Sequence, residues 1–173
     1  LVNVAAQVDV DCLHASGSAT VATSGGTGTS LVVWSNGQIG LSATNLSAGV
    51  YLATATDANG CVSVKTVNIE ADVQLPSIDI DLSADLQVDC GSPLVSLDAS
   101  ASAAGSGILY LWTTVNGHIA AGANSNIASV DAAGTYKLLI TNNGNGCTNT
   151  QTVNVSADLT LPVVDIQAAL NLD

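Results

Sequence analysis

Cysteine, histidine and carboxylate side chains are where this sequence could do chemistry, and their spacing decides which chemistry. The four cysteines are Cys12, Cys61, Cys90 and Cys147. No two form a Cys-x-x-Cys pair, and His14 and His118 occupy non-equivalent positions, so zinc ligation has no frame. Nucleophilic catalysis has none either: Gly105-Ser106-Gly107 lacks the elbow pattern, and no glycine-rich phosphate loop occurs. Carboxylates occur in pairs, but none stands in a recognisable cleft-forming loop. The expectation is a protein that is not an enzyme, with no catalytic residues. Lys65 aligns with Gln151, so no lysine recurs to support an intramolecular isopeptide bond. Asn45-Leu46-Ser47 and Asn154-Val155-Ser156 fit the glycosylation sequon, a short pattern common by chance.

The acidic residues gather in "EADVQLPSIDIDLSADLQVD", which carries Glu70, Asp72, Asp79, Asp81, Asp85 and Asp89, and its echo "ADLTLPVVDI" carries Asp158 and Asp165. Two readings compete. In one, Glu70, Asp72, Asp79, Asp81 and Asp158 hold calcium at module junctions and stiffen them. In the other, which the spacing favours, Asp79 and Asp81 form the solvated face of an alternating strand whose Ile78, Ile80 and Leu82 point inward. No EF-hand loop is present. No cofactor is expected apart from that calcium.

Composition narrows the partners. Two basic residues stand against 14 acidic ones, a net charge of -12. Without a basic patch there is nothing to displace counterions from phosphate, so nucleic acid is excluded, as is an anionic membrane surface. Yet 47% of residues are apolar, only 9% are charged, and the mean hydropathy is +0.44, the profile of a folded chain rather than a disordered one. No apolar run approaches a membrane span, so insertion is not expected. The first residue is Leu1 and no Met occurs, which suggests a processed or excerpted chain.

The elements that must position these residues come from a repeat. "TVNIEADVQLP" closes at Pro76 and "TVNVSADLTLP" at Pro162. Cys12 aligns with Cys90 and Trp34 with Trp112 at an offset of 78; Tyr51 aligns with Tyr136 at 85 and Cys61 with Cys147 at 86. One module has been copied and has diverged. Within each copy the apolar period is two. "VYLATATDANGCVSVKTVNI" reads as strand, Asn59-Gly60 turn, strand, and "TYKLLITNNGNGCTNTQTVNV" repeats it. About seven short strands per copy predict an all-β fold: two tandem immunoglobulin-like β-sandwich modules joined by a short acidic linker. The modules span 1–76 and 77–162, with 163–173 as an extra leading strand. Trp34, Trp112, Tyr51 and Tyr136 are the expected core anchors. Of three cysteine pairings, the repeat register favours Cys12–Cys61 and Cys90–Cys147, one bond inside each module, and hence an oxidising compartment.

From Trp34 onward the first module resembles the SprB-type repeats of Bacteroidetes surface adhesins, which carry the same W-S-N-G, N-L-x-A-G-x-Y and T-D-A-N-G-C segments. The second is similar to the PKD-like and immunoglobulin-like repeats found beside them, its turn before Cys147 departing from the narrower pattern. The resemblance implies a bacterial cell-surface or secreted tandem-repeat protein acting as stalk, adhesin or filament part.

"VVDIQAALNLD" at 163–173 is again a leading-strand pattern, like 1–11 and 79–89. Val163, Val164, Ile166, Leu170 and Leu172 are expected to pair with a following module or a neighbouring subunit by strand addition. The overall expectation is a structural repeat assembling linearly with copies of itself or with adjacent modules. The alternatives are a glycan- or surface-binding adhesion module, for which Tyr110 is the only aromatic outside the repeat pattern, and an accessory domain of a secreted enzyme.

Overall fold

In the computed structural model residues 1–163 are described, so Val164, Ile166, Leu170 and Leu172 lie outside the described residues. Alternation of Val, Thr and Ala with Gly- and Asn-led turns produces strands. The first copy forms β1 (Val2–Val8), β2 (Val10–Asp11), β3 (Gly17–Thr23), β4 (Leu31–Trp34), β5 (Ser42–Leu46), β6 (Gly49–Thr56), β7 (Val62–Ile69) and β8 (Ala71–Asp72). One sheet runs β1-β3-β5 and the facing sheet β4-β6-β7. These are the two half-sheets of an immunoglobulin-like sandwich, in which the first, second and fifth strands face the third, sixth and seventh. The hairpin β6–β7 pairs Gly49 with Ile69 through to Thr56 with Val62, so its five-residue turn holds Asp57 to Cys61.

Inward residues of both sheets close on Trp34, with Val21, Val32, Leu46, Ala53, Val67 and Ile69 buried beside it. The indole N–H donates to the Gly40 carbonyl at 3.0 Å, so burying the ring leaves no donor unpaired.

The second copy forms β9 (Gln87–Asp89), β10 (Val95–Asp98), β11 (Ile108–Thr114), β12 (Ile119–Ala121), β13 (Ile127–Val130), β14 (Gly134–Asn142) and β15 (Thr148–Asp158). Its sheets run β10-β13-β12 and β11-β14-β15-β9. Trp112 is buried and its indole N–H donates to Ser125 O at 3.1 Å; Tyr136, Leu138 and Ile140 complete the centre. The fold is all-β, two immunoglobulin-like sandwich modules in sequence.

In both copies the short strand before the cysteine adds in parallel to the end of the last strand. Val10 pairs with Ala71 and Asp11 with Asp72; Val88 pairs with Ala157 and Asp89 with Asp158. The register is the same after the repeat offsets are applied.

The leading segments differ. Residues 2–8 form a strand, its register shifting between Val4 and Ala6, but their counterparts in the second copy form none. Asp81 turns its carboxylate onto Ser83 N (2.8 Å), an Asx turn that competes with sheet pairing. The expected inward set is therefore incomplete: Ile80 is buried, but Leu82 is 58% exposed.

Two compact units result. One comprises Leu1–Pro76 together with Gly105–Ile108 and Thr141–Asn149, and the other holds Ser77–Ala104, Leu109–Ile140 and the chain from Thr150.

Candidate functional site

The cysteines pair otherwise than the repeat register suggested. Cys12 bonds to Cys147, and Cys61 and Cys90 are free and exposed. Strand length explains the correction. Cys61 stands at the start of β7, whereas Cys12 follows β2, which pairs with β8 beyond the other end of β7. Eight strand residues span about 25 Å, while a disulfide needs Cα atoms about 4.4–6.8 Å apart. Cys147 and Cys90 are likewise held at opposite ends of β15. Cys12 and Cys147 meet with Cα atoms 5.0 Å apart, 135 residues apart in sequence.

Around that bond lies the most built-up polar site of the first unit. Asn145, 2% exposed, accepts from Cys147 N through Oδ1 at 3.0 Å. Its Nδ2 donates to Asp72 Oδ1 (2.9 Å) and to Gln74 O (3.1 Å). Its backbone carbonyl accepts from Cys12 N at 3.0 Å. Gly146 takes φ +68°, and the Leu13 side chain occupies the space a Cβ there would need. Every polar atom of the asparagine side chain that the fold buries is thus paired, which is the condition for burying it at low cost.

The Cys12 loop is preformed by Asp11. Its Oδ1 accepts from Leu13 N (2.8 Å), His14 N (2.6 Å) and His14 Nδ1 (2.9 Å). Partial desolvation raises the Asp11 carboxyl, but the hydrogen bonds from His14 and Leu13 outweigh it and hold the group below the ordinary carboxylate value. The Cys90 loop is shaped by Asp89, whose Oδ1 accepts from Gly91 N (2.7 Å) and Ser92 N (2.5 Å). The Cys61 turn is set by Asp57, which accepts from Thr27 N (2.9 Å), Cys61 N (2.8 Å) and Asn59 N (2.9 Å). Those hydrogen bonds, the one from Thr27 first, hold Asp57 below the ordinary value. The dipeptide Asp-Cys at 11–12 and 89–90 and the tripeptide Asn-Gly-Cys at 59–61 and 145–147 carried this information, but the burial of Asn145 and the neighbours Leu13 and Asp57 were not singled out from sequence.

The expected calcium residues do not come together as one set. Glu70 and Asp72 belong to the first unit; Asp79, Asp81 and Asp158 belong to the second. Among the described residues no group of three or more His, Cys, Asp or Glu side chains is arranged to hold a metal. Asp72 is engaged by Asn145, and hydrogen bonds from Ser83 and Thr160 respectively hold Asp81 and Asp158 below the ordinary range. Glu70 receives a weak 3.4 Å bond from Asn68 Nδ2, and Asp79 contributes backbone N–H and C=O to the Ser102 hydroxyl.

Trp34, Trp112 and Tyr136 are buried; Tyr51 is half-buried at the edge of its core. Both tyrosines reach back four residues, Tyr51 to Ser47 O (3.0 Å) and Tyr136 to Ala132 O (2.6 Å), the corner bond of such sandwiches. Tyr110 donates to Ala103 O at 2.5 Å and so belongs to the fold. Val163, the one described member of the expected assembly strand, is exposed.

No protein-family model and no curated protein matches the chain. Solved structures with a similar arrangement include the three N-terminal domains of the highly immunogenic outer capsid protein of bacteriophage RB49. That pair shares 11% identity at a TM-score of 0.45, over 91% of this chain and 57% of that one. Murine CEACAM1b shares 18% identity at a TM-score of 0.37, over 80% of this chain and 73% of the other. The BSP domain of a biofilm associated protein shares 20% at 0.29, over 94% and 30%. Scores below 0.5 place the chain in none of these families, and the fold rests on its own sheet order.

Proposed function

We propose that this chain is a non-enzymatic structural repeat of an extracellular bacterial filament or adhesin stalk, of the SprB and PKD-like kind, which assembles linearly with further modules or copies. The observation that carries the reading is the Cys12–Cys147 bond, which joins the leading cysteine of one sequence copy to the turn cysteine of the other. A bond of that span suits an oxidising compartment outside the cytosol and a protein whose work is to stay intact under load. The polar groups with chemistry to offer, Asp11, Asp57, Asp72 and Asn145, act as turn caps and staples. The leading-strand pattern at 163–173 supplies the strand-addition element. Negative-stain microscopy with and without residues 163–173 tests this. Linear particles that vanish with the tail support strand addition, and separate particles in both samples refute self-assembly.

A second reading, an adhesion module, is favoured by the outer face of β4-β6-β7. There Leu31, Val33, Val50, Leu52, Val62 and Val64 are exposed between threonines. Binding of the chain to glycan arrays or cell surfaces that is lost in V50D/V62D would support it.

A further inference from the structure

The chain makes one cysteine joint and carries both halves of a second. In the joint that is made, a Cys12 loop capped by Asp11 receives the Asn145-Gly146-Cys147 turn beside Asp72 and Gln74 O. The repeat offsets map the receiving half onto Cys90, Asp89, Asp158 and Thr160, and the turn onto Asn59, Gly60 and Cys61.

The correspondence extends to geometry. Asp11 N donates to His14 O at 3.0 Å and Asp89 N to Ser92 O at 3.1 Å, closing equivalent loops around the two leading cysteines. Asp11 pairs with Asp72 as Asp89 pairs with Asp158, so the receiving carboxylate stands in the same register beside each loop. Gly60 has φ +81° where Gly146 has +68°, so both Asn-Gly-Cys turns pass through the left-handed region. The receiving halves match in exposure as well, Cys12 and Asp72 being exposed like Cys90 and Asp158. The turns differ: Cys147 is 0% and Asn145 2% exposed, while Asn59 and Cys61 are exposed, and Asn59 Nδ2 donates to Thr27 Oγ1 where Asn145 Nδ2 donates to Asp72.

We infer that these half-sites join head to tail: Cys90 of one copy bonds to Cys61 of a second copy, whose Asn59-Gly60-Cys61 turn seats beside Asp158. The inference rests on the linear-assembly reading and names its partner surface. Thiol–disulfide exchange with a low-molecular-weight disulfide supplies the oxidation. The Cys90 thiolate attacks that disulfide, forming a mixed disulfide and releasing one small thiolate. The Cys61 thiolate of the next copy then displaces the second. Two protein thiols lose their protons, and one small disulfide is reduced to two thiols. The Leu13 contact is lost relative to the joint already made, since Gly91 stands in its place, and Asn59 must leave Thr27 to reach Asp158 as Asn145 reaches Asp72. The second joint therefore depends more on the covalent bond.

The test is incubation of the full chain with a glutathione redox buffer, followed by non-reducing electrophoresis and mapping of disulfide-linked peptides. A ladder of covalent oligomers is expected, with Cys61–Cys90 links exceeding either symmetric link by about tenfold or more. Random collision of exposed thiols would give only a twofold excess. C61S and C90S should each fail to form a ladder, and an equimolar mixture of the two should form one covalent dimer and nothing longer. Retention of Cys12–Cys147 in each variant reports that the fold is intact. Symmetric links in the random proportion, a Cys61–Cys90 link inside a monomer, or no link at all would overturn the inference. Microscopy of C61S/C90S separates the two ideas: linear particles without any wild-type ladder sink this joint and leave linear assembly standing. No linear particles and no ladder sink both.

Discussion

At the scale of single residues, the protein uses short polar side chains as backbone partners. Asn145 shows what this requires: four hydrogen bonds converge on one buried residue, three of them through its side chain. Gly146 beside it combines a left-handed φ with a Leu13 contact where a Cβ would lie. Gly146→Ala is therefore expected to cost about 1–2 kcal/mol from the backbone alone, and more unless Leu13 moves. A urea midpoint unchanged from wild type would disprove that packing. Asp57 adds a pH dependence. Its folded pKa is held down by hydrogen bonds from Thr27, Cys61 and Asn59, so its contribution is complete above the ordinary carboxylate range. That contribution is lost as pH falls from about 4 through the lowered folded value. D57N should be less stable than wild type at pH 7, with the gap closing as the medium is acidified. A gap of constant size from pH 7 to pH 2.5 in denaturant titrations would show that charge is not what matters there.

At the scale of elements, the two copies hold their corners with unequal force. The Tyr136 hydroxyl is buried, donates to Ala132 O at 2.6 Å and accepts from His118 N at 3.0 Å. The Tyr51 hydroxyl makes one bond, to Ser47 O, from a half-buried position. Y136F leaves a part-buried amide and carbonyl without their partner and should cost about 1–2 kcal/mol; Y51F should cost under about 1 kcal/mol. Equal losses in thermal unfolding would mean that the first corner is held as firmly as the second. The same inequality marks the leading segments. A strand forms from "VNVAAQV", whereas its counterpart forms none and turns locally where Asp81 binds Ser83 N. Asn3, the counterpart of Asp81, could form the same turn but pairs with Ala22 across the sheet instead.

For the whole molecule, the cysteines divide into two kinds. Removing Cys12–Cys147 by C12S or C147S releases a closed loop of 135 residues, and loop-closure entropy alone sets the expected loss at about 5 kcal/mol. C61S and C90S, at exposed positions, should change stability by no more than about 0.5 kcal/mol. If C61S proved as destabilising as C12S, the pairing described here would be wrong. Calcium belongs to this scale as well. Asp72, Asp81 and Asp158 already accept hydrogen bonds from within their own units, so chelation is expected to shift Tm by less than about 2 °C. A fall of several degrees on chelation, restored by calcium, would return the acidic residues to the candidate site.

Much of the architecture lay open in the linear sequence, because its determinants are local. Period-two alternation, Asn-Gly turns and a Trp before each turn specify strands and their buried faces whatever surrounds them. The repeat offsets placed Cys12 with Cys90 and Cys61 with Cys147 as equivalents, and that equivalence holds in the loops that Asp11 and Asp89 shape. Which cysteine meets which was not legible. Equivalence within a repeat says nothing of distance, and the pairing depends on a strand about 25 Å long separating Cys61 from Cys12. Nor could periodicity foretell that Asn145, a polar residue in a turn, would be buried against Asp72 and Gln74. Burial of a turn is decided by what folds onto it from 71 or more residues away in sequence, and only the tertiary structure brings those segments together.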